Sequence, residues 1–167
     1  MLRRIAALVA VTSTLALQNV QGQSAPPGTD VYLATLEVPH GGGASIGIGT
    51  PENITRRSGY DNQPAFLGDE RAVYYTSIRH DGQADIYRYD IASHATTRVT
   101  STPESEYSPT VMPGGRRFSV IRVEVDSTQR LWSFAMDGTD PRLVLTDVKP
   151  VGYHLWLDDR QLASHQV

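Results

Sequence analysis

Beyond residue 22 the chain is patterned for strands throughout. Val73-Tyr74-Tyr75-Thr76-Ser77-Ile78 and Phe118-Ser119-Val120-Ile121-Arg122-Val123 are β-branched and aromatic runs. Ile86, Tyr87 and Tyr89, like Leu131, Trp132 and Phe134, continue that composition. Hairpin signals separate the runs: His80-Asp81-Gly82-Gln83 carries an Asp-Gly pair that accepts positive φ, and Asp137-Gly138 carries another. No 12-residue window after the first 22 residues shows a helical apolar period. The pattern predicts short antiparallel strands near 63–67, 71–78, 84–90 and 95–99, and the same set 45 residues later.

That offset is the main organising feature. Sliding the chain by 45 places Pro64-Ala65-Phe66-Leu67 on Pro109-Thr110-Val111-Met112 and again on His154-Leu155-Trp156-Leu157. Three turns follow in step, at Gly68-Asp69-Glu70, Pro113-Gly114-Gly115 and Asp158-Asp159-Arg160. Identities are few, Thr55/Thr100, Pro64/Pro109, Arg71/Arg116, Asp81/Asp126 and Val99/Val144. Residue classes and turn positions nevertheless stay in register through successive segments, at a period typical of propeller blades. Aromatic residues that recur on this period, Phe66, Tyr74, Tyr75, Tyr87, Tyr89, Trp132, Phe134 and Trp156, are expected to fill the space between blades.

The runs Thr100-Ser101-Thr102-Pro103, Tyr107 to Phe118 and Arg130 to Gly138 resemble the TolB-type, WD40-like β-propeller repeat, and Asp85-Ile86-Tyr87-Arg88-Tyr89-Asp90 is similar to its third strand. The resemblance covers about residues 53 to 167. It departs from the repeat's Ser-Pro-Asp-Gly at Leu67-Gly68-Asp69-Glu70 and Met112-Pro113-Gly114-Gly115. It implies an all-β propeller of about six blades and no particular reaction. Upstream, Asp30-Val31-Tyr32-Leu33 resembles Asp85-Ile86-Tyr87-Arg88, and Ala44 to Gly49 is the expected fourth strand of that partial blade. The predicted organisation is therefore a signal peptide at 1–22, a leader and outer strands of a partial blade at 23–52, blades at 53–99 and 100–144, and the first half of a further blade at 145–167. Six blades at this period need ~270 residues, so the sequence predicts an incomplete ring.

The expected signal peptide rests on Arg3 and Arg4, a mostly apolar stretch from Ile5 to Leu17, and small residues at Val20-Gln21-Gly22 ahead of a polar leader. A 13-residue apolar stretch is too short to cross a ~30 Å hydrocarbon core. Cleavage after Gly22 leaves 13 basic against 18 acidic residues, a net charge of −5 and no transmembrane helix in the mature chain. Periplasmic or secreted localisation follows. With 14 of 15 basic residues being Arg and no basic excess, nucleic acid is not an expected partner. The absence of cysteine excludes disulfides, thiolate metal sites and cysteine nucleophiles.

Candidate chemistry is sparse. Gly43-Ala44-Ser45-Ile46-Gly47 has the letters of a nucleophile elbow, but a Gly-rich turn precedes it and Pro51 follows, so a hairpin is the expected reading. His40, His80, His94, His154 and His165 lack the spacing of a metal pair, and hydrogen-bonding or solvated roles are expected of them. Carboxylates cluster at Asp158-Asp159, which falls in a turn, and at Glu104 and Glu106, and Asp81 to Asp85 lacks a full calcium-loop pattern. Asn53-Ile54-Thr55 is a glycosylation sequon in form. No catalytic residue, metal site or cofactor is assigned, and binding residues are left open. The expected function is an exported, non-catalytic scaffold for a protein or cell-envelope component. The alternative is the propeller portion of an exported hydrolase.

Overall fold

The computed structural model describes residues 26–37, 47–68 and 71–166. Residues 1–22, read above as an expected signal peptide, and Ser45 of the elbow-like motif, with His40, lie outside the described residues. Every regular element among the described residues is a strand. Strands β5 (Tyr60–Leu67), β6 (Ala72–Ile78), β7 (Ala84–Asp90) and β8 (Thr96–Arg98) form one antiparallel sheet in chain order, the first blade. Strands β9 (Ser105–Val111), β10 (Arg117–Val123), β11 (Gln129–Ala135) and β12 (Arg142–Leu143) form the second blade in the same way. The expected strands are thus present in both repeats, and no ring closes among the described residues.

The first strand of each blade starts three residues earlier than the sequence pattern suggested. Its register shifts at Asn62/Ala65 in β5 and opposite Ser119/Ile121 in β9, so pairing continues past a bulge instead of stopping there. The residue in each bulge is in the left-handed region, Gln63 at φ 56° and Ser108 at φ 54°, and a proline follows it in both. A residue before proline is pushed out of the right-handed helical region.

Middle strands are buried on both faces because a neighbouring unit covers each side. Alternate residues of β6 therefore serve different interfaces. Ala72 and Tyr74, with Leu67 and Ile86, pack on Phe118, Val120 and Phe134 of the second blade. Val73 and Tyr75, with Tyr87 and Tyr89, pack on Val31 and Ile54. Each such large apolar side chain contributes roughly 1.5–3 kcal/mol on burial. Tyr74 meets Phe118 edge-on at 5.0 Å, Phe118 stacks on Phe134 at 5.6 Å, and the Tyr74 hydroxyl donates to the Met136 carbonyl. The turn between β11 and β12 presses against the first blade at Gly138, φ 83°, where any Cβ would collide with the Val99 carbonyl.

Two hairpins flank the blades. Upstream, β1 (Tyr32–Leu33) pairs with β4 (Glu52–Asn53), and β2 (Leu36–Glu37) with β3 (Gly47–Ile48). Its bonding repeats that of the third and fourth strands of a blade, but the fourth strand is β4 and not the expected Ala44 to Gly49, whose described part, β3, pairs with β2 instead. The Ile54 amide donates to the Val31 carbonyl as Val99 does to Ile86 and Val144 to Leu131. The Val31 amide donates to Thr55 Oγ1 as Ile86 does to Thr100 Oγ1. Downstream, β13 (Tyr153–Trp156) pairs with β14 (Leu162–His165), packing through Trp156 and Leu162 on Ile121, Leu131 and Val151. Its tight turn is one residue shorter than the second blade's. Leu157 closes on Gln161, whereas Met112 closes on Arg117, so the repeat runs at 44 after that turn.

Candidate functional site

The bulges build the site. Displacing Ser108 from the ladder frees its amide, which donates to Gln63 Oε1 at 3.0 Å and lies 3.2 Å from Thr76 Oγ1. Thr76 Oγ1 donates to the same Gln63 oxygen at 2.9 Å. The glutamine of one bulge thereby clasps the backbone of the next. Tyr153 occupies the third equivalent position, in a strand that pairs without a register shift.

Gln63, Ser108 and Tyr153, each 45 residues apart, share the lining of a cleft of about 520 Å³ where the first strands of three units meet. Ser105, Tyr107, Ser127 and Gln129 add hydroxyl and amide groups, over a floor of Ile121 and Val123. The described lining holds no Asp, Glu, Lys, Arg or His. Burial raises the Tyr107 phenol above its usual pKa, and burial, then the nearby Tyr107 and Tyr153, raises that of Tyr60. The phenols stay neutral donors at physiological pH. An uncharged cleft of amides, hydroxyls and aromatic edges suits amide-rich ligands more than ions.

Two further clefts occupy equivalent places at the β6–β7 and β10–β11 turns, with opposite charge. The first, of about 700 Å³, is lined by Arg57, Arg79 and His80. The second, of about 490 Å³, is lined by Glu104, Glu124 and Asp126 with a single cation, Arg122. Arg79 lies 4.0 Å over the Tyr87 ring, whereas its equivalent Glu124 accepts from the Trp132 indole at 2.9 Å.

Polar groups singled out in the sequence take structural roles. Asp158 Oδ1 accepts the Arg160 and Gln161 amides at 2.8 Å, the expected turn use. Asn53 Oδ1 accepts from the amides of Thr55 and Arg56. Glu106 is fully buried beside Arg122 at 3.1 Å, and Glu104 is 3.7 Å from the same guanidinium. His94 Nδ1 meets the Tyr89 hydroxyl at 2.7 Å. His154 is brought to Ser119, with Nε2 2.6 Å from Oγ, which also accepts from the Trp156 indole at 2.9 Å. Sequence reading missed this pair because its members lie 35 residues apart on different units. Ser119 is fully buried and burial lowers the His154 pKa to about 4, and the pair joins two sheets. One expected core residue is not covered: Phe66 is 66% exposed, because the two-stranded unit beside it offers no inner strands to pack there.

No protein-family model matches the chain. Among solved structures, a protein of Agrobacterium tumefaciens described as TolB is 22% identical, aligning 72% of this chain with 44% of its own length at a TM-score of 0.57. TolB of Acinetobacter baumannii is 18% identical, aligning 67% of this chain with 29% of its own at 0.52. The chain thus spans less than half the length of either. At such identities the likeness speaks to architecture, and it agrees with the strand order above: the chain is built of TolB-like β-propeller blades.

Proposed function

We propose that this chain is an exported binding module that holds an extended, largely uncharged polypeptide segment of a cell-envelope protein in the cleft between Gln63, Ser108 and Tyr153. The observation that carries this reading is the composition of the cleft. Its neutral amides and hydroxyls match the alternating donors and acceptors of a peptide backbone, and its aromatic edges match small apolar side chains. Bulges on a rigid sheet position these groups, which keeps the ordering cost of binding low. Export is supported by the pattern of residues 1–22. Periplasmic or secreted placement follows from it.

Two measurements test the parts separately. Fused to a reporter enzyme, residues 1–22 should direct it out of the cytoplasm with cleavage after Gly22; retention overturns the export reading. An array of uncharged peptides probed with the purified protein should give ligands whose binding falls at least about tenfold in Tyr153→Ala and Gln129→Ala, the loss of about 1.4 kcal/mol expected from one aromatic or hydrogen-bonding anchor. Ligands that bind both variants as well as the wild type overturn the cleft assignment.

A further inference from the structure

Of the two arginines that line the cleft at the β6–β7 turn, one is engaged by the fold and the other keeps its charge uncompensated. Arg57 pairs with buried Asp61 at 2.8 Å and donates its second terminal nitrogen to the Ile78 carbonyl at 2.8 Å. Arg79 donates through Nε to Ser77 Oγ at 3.1 Å and through Nη2 to the Tyr75 hydroxyl at 3.2 Å, with its guanidinium 4.0 Å over the Tyr87 ring. All three partners are neutral. Among the described residues no carboxylate pairs with Arg79 and Nη1 has no acceptor. The described lining of the cleft holds no Asp or Glu, and the exposed His80 stands beside it.

The second blade shows that the scaffold does not need a cation here. Glu124 stands in the place of Arg79, Thr102 in that of Arg57 and Val125 in that of His80. Glu124 accepts from the Trp132 indole and lies 3.9 Å from Arg130, so the same position serves equally well with the opposite charge. What the first blade has instead is a guanidinium held in place by three contacts before any ligand arrives, which keeps the ordering cost of binding low. A planar guanidinium fork matches a carboxylate in geometry and charge. One uncompensated guanidinium balances one carboxylate, whereas a phosphate dianion would be left half matched.

Tyr60 connects this cleft to the neutral one. It lines the Arg79 cleft, and on β5 it precedes Gln63 of the neutral cleft by three residues, roughly 10 Å of strand. Its phenol is also close enough to Tyr107 and Tyr153 for them, after burial, to raise its pKa. We infer that the Arg79 cleft binds a carboxylate of the polypeptide segment held in the neutral cleft, about three extended residues from the part that meets Gln63. The inference rests on the peptide-binding reading of that cleft and adds to it the feature that fixes the ligand's direction. A C-terminal carboxylate and an Asp or Glu side chain offer the same chemistry.

Nuclear magnetic resonance of the whole protein reads both clefts at once, through the Arg79 Nε–Hε signal for one and the side-chain amides of Gln63 and Gln129 for the other. The probes are N-acetylated tetra-alanine with a free C-terminal carboxylate, the same peptide amidated, and the amidated peptide with aspartate as its second residue. A carboxylate-bearing peptide should shift the Arg79 signal saturably and bind about tenfold tighter than the uncharged amide; which of the two does so identifies the source of the carboxylate. Arg79→Gln should reduce that preference to less than about twofold. Raising NaCl from about 50 to 500 mM should cut it severalfold in the wild type, a readout that needs no variant. Equal affinity for all three peptides, with Gln63 and Gln129 responding and Arg79 unmoved, overturns this inference and leaves the neutral cleft standing. Silence of Gln63 and Gln129 toward every peptide overturns the neutral cleft and this inference with it.

Discussion

The two blades share a backbone and differ in how they neutralise the same buried carboxylate. In the first, Asp61 is fully buried on β5 and is met by Arg57 from before the strand at 2.8 Å and by the Ser77 hydroxyl from β6 at 2.6 Å. In the second, Glu106 takes the equivalent place. Its cation is now Arg122 from β10, at the position of Ser77, and the hydroxyl is Thr102, at the position of Arg57. Cation and hydroxyl have exchanged places around a retained acid. In the third unit the same position is Val151, fully buried among Ile121 and Leu131. The site therefore tolerates a compensated charge or none, as expected where an uncompensated ion is costly and an apolar residue of similar volume is not.

The largest expected effect comes from breaking that balance on the side with less water. Arg122 is 6% exposed and also lies 4.6 Å over the Trp132 ring, so Arg122→Ala strands Glu106 and removes a packed side chain. A loss of about 3–5 kcal/mol is expected, lowering the Tm by roughly 10 °C. Arg57→Ala should cost about 2 kcal/mol, because the arginine is partly exposed, water can replace it and Asp61 keeps its Ser77 bond. The double variant Glu106→Val with Arg122→Leu, in which the valine copies Val151 of the third unit, should return to within about 1 kcal/mol of wild type. Equal losses for the two arginine variants, or a double variant no better than Arg122→Ala, would show that the exchange is not a compensation.

This exchange also explains what the sequence made legible. Strand positions were readable because burial on both faces forces β-branched and aromatic runs at each middle strand, whatever their identities. Asp61 and Glu106 with their partners were not, since Arg57 aligns with Thr102 and Ser77 with Arg122, and no column of the repeat reads as a charge pair. The cleft was hidden in the same way: Gln63, Ser108 and Tyr153 share a place and no chemistry. The signal that could have found it was Pro64/Pro109, one of the few identities, which marks the bulge. The shortened turn after Leu157 escaped notice because Asp158-Asp159-Arg160 has turn composition at either length.

Acid titration separates the units next. Burial holds His154, docked on the second blade, at about 4, below its ordinary 6.5. The unfolded chain then binds the extra proton, so this term stabilises fully above pH 6.5 and is lost as pH falls toward 4. Asp85 in the first blade is raised to about 6 from 3.8, by burial first and against the opposing pull of Arg98 at 2.6 Å. Here the folded chain binds the extra proton, so stability falls as pH rises from 3.8 to 6. The equivalent residue in the second blade is Arg130, so the offset is confined to the first. Asp85→Asn should lose Tm more steeply than wild type between pH 6.5 and 4, and His154→Gln less steeply. Parallel Tm profiles for all three proteins would contradict this assignment.

The smallest effect distinguishes the two bulges. Gln63 and Ser108 adopt nearly the same positive φ, a conformation that costs a non-glycine residue roughly 1 kcal/mol, and glycine removes that cost while adding a similar entropy to the unfolded chain. On backbone grounds both glycine substitutions are close to neutral. Only Gln63 carries a side chain that accepts from both Thr76 and the Ser108 amide, whereas Ser108 contributes its amide, which glycine keeps. Ser108→Gly should therefore stay within about 0.5 kcal/mol of wild type, and Gln63→Gly should lose about 1–2 kcal/mol, a Tm difference of roughly 2–6 °C. Hydrogen exchange at the Ser108 amide should accelerate in Gln63→Gly, since its acceptor from the first blade is gone. Matching Tm values with unchanged exchange would mean that the bulges alone, without the glutamine clasp, set the spacing of the first strands around the cleft.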